Sequence, residues 1–291
     1  MNDGRPPGSL LDQVDDMEVK SELYEEPTFQ KVAKLENSNS LVTLEFSNHQ
    51  VEGDVKVDSD GDLVVDRKNR LSVEIEFSGS TVIPLVGLQI WRGAFVLADY
   101  ILSQQKRRLF EDKVVLELAA GVGFTGVIAG MVAREIVCTD IDKGGILELI
   151  QRNFSRNQHL MKASTSVLSL DFYQDDWSPQ LKRKLKETDI IIAADVIYDN
   201  NLSEAFLKCL TKVLLVPPKK TFLLALEKRF VFTVEDLDVV APCFDHFFKC
   251  LNSQWSSPPM SAWTVQELDI DFQQTFEYER SKHLVLYKIT T

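Results

Sequence analysis

From Lys113 to Glu227 the chain alternates between short, wholly apolar runs and longer stretches in which apolar residues recur every three or four positions. "KVVLEL", "EIVCTD", "TSVLSLDF", "DIIIAADVIY" and "TFLLALE" read as strands. "FTGVIAGMVAR" reads as a helix of small residues, and "KGGILELIQRNFSRNQHL" and "SEAFLKCLTKVLL" as amphipathic helices, the last stopped by Pro217-Pro218. Strands without a polar face, separated by helices, predict an α/β fold with a parallel sheet covered on both sides. The pattern predicts a further helix around "VEDLDVVAPCFDHFFKCLN", which Pro242 should kink or divide. It then predicts strands in "WTVQELDI" and "HLVLYKI". No helix separates these last two, so they are expected to form an antiparallel hairpin at one edge of the sheet.

Upstream the pattern changes. Residues 40–85 contain "LVTLEF", "DLVVD" and "LSVEIEF" between turn signals such as Asp60-Gly61, which predicts a β-rich extension. Residues 1–39 are acidic and polar, with Pro6, Pro7 and Gly8 near the start, and are expected to be a disordered tail. This leaves 86–291 as the main domain.

Composition narrows the function. The chain has 291 residues, 44% of them hydrophobic, enough for a full core. Its 44 acidic and 32 basic residues give a net charge of -12, which argues against nucleic acid or an anionic membrane and favours a cationic protein partner. Cys138, Cys209, Cys243 and Cys250 form no C-x-x-C pair, and Cys243 and Cys250 are read as apolar packing on one helix face. The four histidines are scattered without H-E-x-x-H, so no metal site is expected. No signal segment and no membrane-length apolar run is read from the sequence, and the expected location is intracellular, in nucleus or cytoplasm.

The chemistry concentrates in "LELAAGVGFTG". Gly121, Gly123 and Gly126 satisfy G-x-G-x-x-G at a strand-to-helix corner, where a backbone turns sharply and a ligand approaches a helix N-terminus. Alone, three small residues also suit a packed corner. Asp140 ends the second strand, at the spacing from which an acid reaches a ribose hydroxyl pair. Glu117 just before the loop would repel a pyrophosphate and suit a ligand with ammonium and sulfonium charges. S-adenosylmethionine carries both and no phosphate, which favours it over a nicotinamide dinucleotide.

"ELAAGVGFTG" resembles the first motif of seven-β-strand methyltransferases. With "LVGLQIWRGAFVLADYIL", "CTDID" and "AADVIYD", which holds a D-x-x-Y signature at Asp195 and Tyr198, the chain resembles the family-16 methyltransferase-like protein lysine methyltransferases over about Pro84 to Ile289. The resemblance implies a Rossmann-like, seven-stranded, mostly parallel sheet and transfer of a methyl group from S-adenosylmethionine to a lysine of a protein substrate. It implies Trp91 beside the cofactor, and Glu117, Ala119, Ala120, Gly121 and Gly123 around its methionine part. Asp140 falls on the ribose, Asp171 and Phe172 beside the adenine, and Ala194 near the ligand. Asp195 and Tyr198 face the methyl-acceptor channel, Asp195 orienting the amine.

Two positions depart from the family pattern. Ala119 replaces a glycine, so a positive φ there would be strained, and Phe172 replaces a tryptophan. These departures motivate an alternative, a non-catalytic interaction module that keeps the fold. Nucleic-acid amino-methyltransferases carry an Asp/Asn-Pro-Pro-aromatic motif where this chain has "DVIY", and that reading ranks below protein methylation.

Overall fold

The computed structural model describes residues 18–30, 32–47, 70–233 and 238–291. From the N-terminus, β1 (Glu18–Val19) pairs antiparallel with β5 (Thr81–Val82), and β2 (Ala33–Lys34), β3 (Ser40–Ser47) and β4 (Arg70–Phe77) form a small antiparallel sheet. The predicted "DLVVD" strand lies outside the described residues, as do residues 1–17. The remaining described part of the expected tail, from Glu18 to Asn39, is not a tail. Leu23 and Phe29 are buried, and the Tyr24 and Phe29 rings pack on Phe77. Acidic composition concealed three side chains that share the main core.

The main sheet contains β6 (Val114–Leu118), β7 (Glu135–Asp140), β8 (Ser164–Ser169), β9 (Ile190–Ala194) and β10 (Thr221–Glu227). Beyond a short β11 (Val231–Thr233) and β12 (Asp238–Val240) pair, β13 (Thr264–Leu268) and β14 (Leu284–Thr290) complete it. The strand order is β13-β14-β10-β9-β6-β7-β8. Strands β8, β7, β6, β9 and β10 are parallel, while β14 runs antiparallel to both β10 and β13. This is the expected Rossmann-like sheet with its C-terminal hairpin at one edge.

Helices cover both faces because successive strand residues point to opposite sides. Val115, Ile136, Cys138, Ile192 and Leu223 face a core shared with α1 (Arg92–Ser103), α2 (Phe124–Gly130) and α3 (Ile146–Arg156). Leu116, Val137, Ile191, Ala193 and Leu224 face a second core with α4 (Pro179–Glu187), α5 (Asn200–Leu215) and α6 (Pro242–Gln254). The helix predicted around Pro242 differs from expectation. Residues 234–237 of it lie outside the described residues, Asp238–Val240 is strand β12 paired with β11, and Pro242 stands in the first turn of α6, where its missing N–H costs no helix bond.

The stretch Ile83–Ser103, with mean hydropathy 1.4, is long and apolar enough to cross a membrane by length and composition, contrary to the sequence expectation. The structure breaks it. Gln89 and Trp91 are extended, separating a 3-10 segment, Ile83–Leu88, from α1, whose Phe95, Val96, Leu97 and Ile101 lie in the core.

The small sheet is joined to the large one by a polar seam. Asn153 of α3 accepts from the Glu76 N–H at 2.8 Å and donates to the Glu76 carbonyl at 2.9 Å, and Asn157 treats Glu74 likewise at 2.9 and 2.7 Å. Two asparagines thus stand in for the next strand and satisfy β4's edge. Glu76 itself accepts from Arg152 and Arg156 at 2.9 and 3.1 Å. Burial opposes its charge, but Arg152, Asn39, Asn37 and Arg156 outweigh burial and hold its pKa down at about 2.

Candidate active site

Strands β6 and β9 are neighbours, yet the chain proceeds from them in opposite directions, to β7 and β8 on one side and to β10 on the other. Such a reversal leaves a crevice beyond the carboxyl ends of the strands. Here it is a cavity of about 360 Å³ reached by the loop after β6, the ends of β7 and β9, and the whole segment from Ile83 to Trp91.

The loop after β6 turns through three left-handed residues, Ala119, Gly121 and Gly123, with φ of 51, 57 and 76°. Ala119 therefore holds the positive φ that its sequence position made a concern, at a cost of about 1–2 kcal/mol. Ala119, Ala120 and Gly121 line the crevice. A Cβ on Gly121 would lie 2.9 Å from the Gly87 carbonyl oxygen, so this glycine lets the far wall approach. Gly123, the last glycine of the predicted turn, packs against a helix. It lies outside the lining, and a Cβ there would meet Ile150 of α3 at 3.0 Å, so it serves helix packing. The third glycine, Gly126, gives room beneath α2 to Cys138 and Glu117.

Three backbone donors of the loop are already engaged. Ala120 N donates to the Thr139 carbonyl at 3.0 Å, Gly121 N to Asp140 Oδ2 at 2.8 Å, and Gly123 N to the Ala120 carbonyl at 2.8 Å. A phosphate-cradling loop aims such groups at its anion. Asp140 also accepts from Ile141 N at 2.8 Å, and burial pushes its pKa up to about 6 against these two donors.

Glu117 borders the crevice but is turned under α2. Its carboxylate accepts from the Thr125 hydroxyl and, at 2.9 Å, from Cys138 Sγ. Burial, with the nearby Asp140 charge adding to it, pushes Glu117 up to about 7. Its charge near neutral pH is thus partial, which weakens Glu117 as a ground for excluding a pyrophosphate.

Asp195 follows β9 with φ 51°. Both carboxylate oxygens accept backbone N–H groups, Gly93 at 2.6 Å and Glu227 at 2.8 Å. It therefore ties the first turn of α1 to the end of β10. A Cβ on Gly93 would meet the Asp195 carboxylate at 2.6 Å, which explains glycine at that place in α1. Burial pushes the Asp195 carboxyl above the usual range, opposed by the Arg229 charge and the two N–H groups. Tyr198, three residues on, is half-exposed at the crevice mouth, and burial of its hydroxyl pushes it up to about 12.

Trp91 and Ala194 line the crevice, and the Trp91 indole N–H donates to the Val86 carbonyl at 3.0 Å. Phe172 lines it too and packs edge-on against Phe206, with ring centroids 5.3 Å apart. Asp171 reaches the lining while accepting from Tyr173 N at 2.9 Å and Gln174 Nε2 at 3.0 Å.

Several lining residues had no role in the sequence reading. Ile141 and Tyr173 are exposed apolar surfaces beside Asp140 and Phe172, and Arg229 lies 4.7 Å over the Trp91 ring while pairing with Glu22 at 3.4 Å. An apolar residue between two acids, "DID", was a readable sign for Ile141. Arg229 and Glu22 are 207 residues apart, beyond any local pattern.

A family model described as lysine methyltransferase matches residues 69–252. The chain belongs to this family. It is 35% identical over 233 residues to methyltransferase-like protein 22 of Homo sapiens, covering 75% of this chain and 57% of that protein. It is 29% identical over 126 residues to protein-lysine methyltransferase METTL21E of Mus musculus, covering 42% of this chain and 49% of that protein. The chain spans a little over half the length of the methyltransferase-like 22 relatives it matches. A solved structure of SMU.776, a putative methyltransferase complexed with SAH, aligns at 18% identity and TM-score 0.44 over 76% of this chain and 54% of that one.

The crevice fits a phosphate-free nucleoside ligand. Its carboxylate at a strand end, Asp140, is fixed by two backbone donors, its glycine loop has three amides engaged by protein acceptors, and its walls are largely apolar. A pocket of this size with few polar groups is of the kind that encloses a small cofactor.

Proposed function

We propose that this family member binds S-adenosylmethionine in the crevice between β6 and β9 and transfers its methyl group to a lysine of a protein substrate. The carboxylate of Asp140, fixed at the end of β7 by the Gly121 and Ile141 N–H groups and facing largely apolar walls, carries the reading, because it suits a ribose hydroxyl pair. Bound there, the cofactor supplies a methyl carbon activated by sulfonium. The protein's part is to hold an acceptor nitrogen in line with that carbon and to keep water out.

Asp140 is assigned to the ribose, with Phe172 and Ile141 beside the base. Tyr198, at the mouth, orients the incoming amine through its hydroxyl or ring face. Asp195 is assigned to positioning rather than to proton removal, since each of its oxygens already accepts a backbone N–H. The amine must reach the site neutral, and the apolar walls favour loss of its proton. The net charge of -12 supports a lysine-bearing protein as partner rather than nucleic acid or membrane. Four unpaired cysteines support a reducing compartment, nucleus or cytoplasm.

The non-catalytic reading draws on the left-handed Ala119 and Asp195, which hold strain at the site. Incubating cell extract with radiolabelled S-adenosylmethionine and either the wild-type chain or Asp140→Ala separates the readings. Label on mapped lysines with the wild type alone is expected. Label on RNA, or no transfer by a wild type shown to bind cofactor, overturns protein methylation.

A further inference from the structure

Helices α5 and α6 pack together on the face of the sheet remote from α1, and their shared surface brings together three different donor types. Glu204 of α5 and His246 and Cys250 of α6 place a carboxylate oxygen, Nε2 and Sγ within 4.8 Å of one another. His246 and Cys250 are four residues apart, one helical turn, and so share a side of α6. Nε2 lies 2.9 Å from Glu204 Oε1 and 3.6 Å from Cys250 Sγ.

We propose that Glu204, His246 and Cys250 form a binding site for a divalent transition ion of the zinc type, with water in a fourth position. Around a tetrahedral zinc with bonds of about 2.0–2.3 Å, neighbouring ligand atoms sit about 3.3–3.7 Å apart. The separations found here bracket that range, so small side-chain rotations close the site. The donor set also matches. Thiolate and imidazole select zinc over magnesium or calcium, and one thiolate plus one carboxylate neutralise the doubly charged ion.

A neutral His246 Nε2 carries either a proton or a lone pair, so it serves the carboxylate as donor or the thiol as acceptor, but not both. A metal ion serves all three at once. Binding takes the Nε2 lone pair of neutral His246 and the Cys250 thiolate, and releases the thiol proton to solvent.

The clip would stiffen the rim of the crevice without entering it. Cys243, one turn before His246, donates through Sγ to the Tyr198 carbonyl at 3.4 Å, and Leu202 of α5 lines the crevice. The proposal departs from the sequence expectation of no metal site, which rested on local motifs, whereas Glu204 and His246 are 42 residues apart. The inference does not depend on methyl transfer.

The test titrates cobalt(II), then zinc, into the full reduced chain. One equivalent of cobalt should give a thiolate-to-metal absorption in the near ultraviolet and the visible bands of a four-coordinate ion, both removed by zinc. Cys250→Ser should abolish the thiolate band, and His246→Ala and Glu204→Gln should each weaken zinc by about tenfold or more. Cys243→Ser should bind as the wild type does, and all variants should unfold cooperatively. Absence of a thiolate band, its loss in Cys243→Ser but not Cys250→Ser, or zinc affinity unchanged by His246→Ala would each overturn the site.

Discussion

The two walls of the crevice are built by opposite means. One comprises the loop after β6 and the end of β7, and its joining hydrogen bond, Gly121 N to Asp140 Oδ2, spans 19 residues. The other is Ile83 to Trp91, held in place by the N-terminal segment. Gln89 accepts from Ser21 N and donates to the Val19 carbonyl across 68 and 70 residues, and Tyr24 accepts from Ile90 N across 66. The first wall follows from a strand, a turn and a strand end close together in sequence. The second exists only once the chain has folded back on itself. They should therefore fail separately, the first in ligand affinity and the second in local rigidity.

Asp195 ties the first turn of α1, which directly follows the second wall, to the sheet, and its loss should have the largest effect. Asp195→Ala leaves the Gly93 and Glu227 N–H groups without their acceptor, which should lower unfolding free energy by about 2–5 kcal/mol in urea titrations. Unchanged stability would return Asp195 to a purely chemical role. Breaking the first wall alone, Asp140→Ala should weaken S-adenosylmethionine about 10- to 100-fold by calorimetry, the worth of a hydrogen bond to a charged group. Breaking the second alone is milder. Gln89→Ala should raise amide hydrogen exchange across Ile83 to Trp91 and weaken the cofactor by less than about tenfold, since no bond to the ligand is removed.

A graded effect is expected in pH dependence. Glu117 and Asp140 have folded pKa values raised to about 7 and about 6, so their contribution to apoprotein stability is full below the ordinary carboxylate range and is lost as pH rises through those values. Glu76 has the opposite sign. Its pKa of about 2 gives stability present above its ordinary value near 4.5 and lost as pH falls towards 2. A cationic ligand favours the ionised acids, so cofactor affinity should rise between pH 5 and 8, by no more than about tenfold per unit for each proton released. Glu117→Gln should flatten part of that rise while moving affinity at pH 8 only slightly.

The same contrast explains what the sequence made legible. Uniformly apolar runs specified the buried strands, their alternation with helices specified the parallel order, and the unpunctuated ending specified the hairpin. Asp140, Ala119 and Gly121 were readable as a group because they lie within one strand-loop-strand unit, and all three line the crevice. Gly123 is less legible, because a glycine that admits Ile150 and one that admits a ligand look alike in a G-x-G pattern. The packing of Leu23 and Phe29 was hidden by the acidic residues around them, and Arg229 over Trp91 by the intervening chain. Pro242 was read as a break within a helix when it begins one, since a proline suits a first turn as well as it disrupts an interior.

The central claim is that the crevice receives a phosphate-free, positively charged nucleoside against Asp140. Isothermal titration of the full chain with S-adenosylmethionine and, separately, with a nicotinamide dinucleotide tests it most directly. Saturable one-to-one binding of the first, weakened by Asp140→Ala, and none of the second is the predicted result. Binding of the dinucleotide in its place, or S-adenosylmethionine binding indifferent to Asp140, would contradict it.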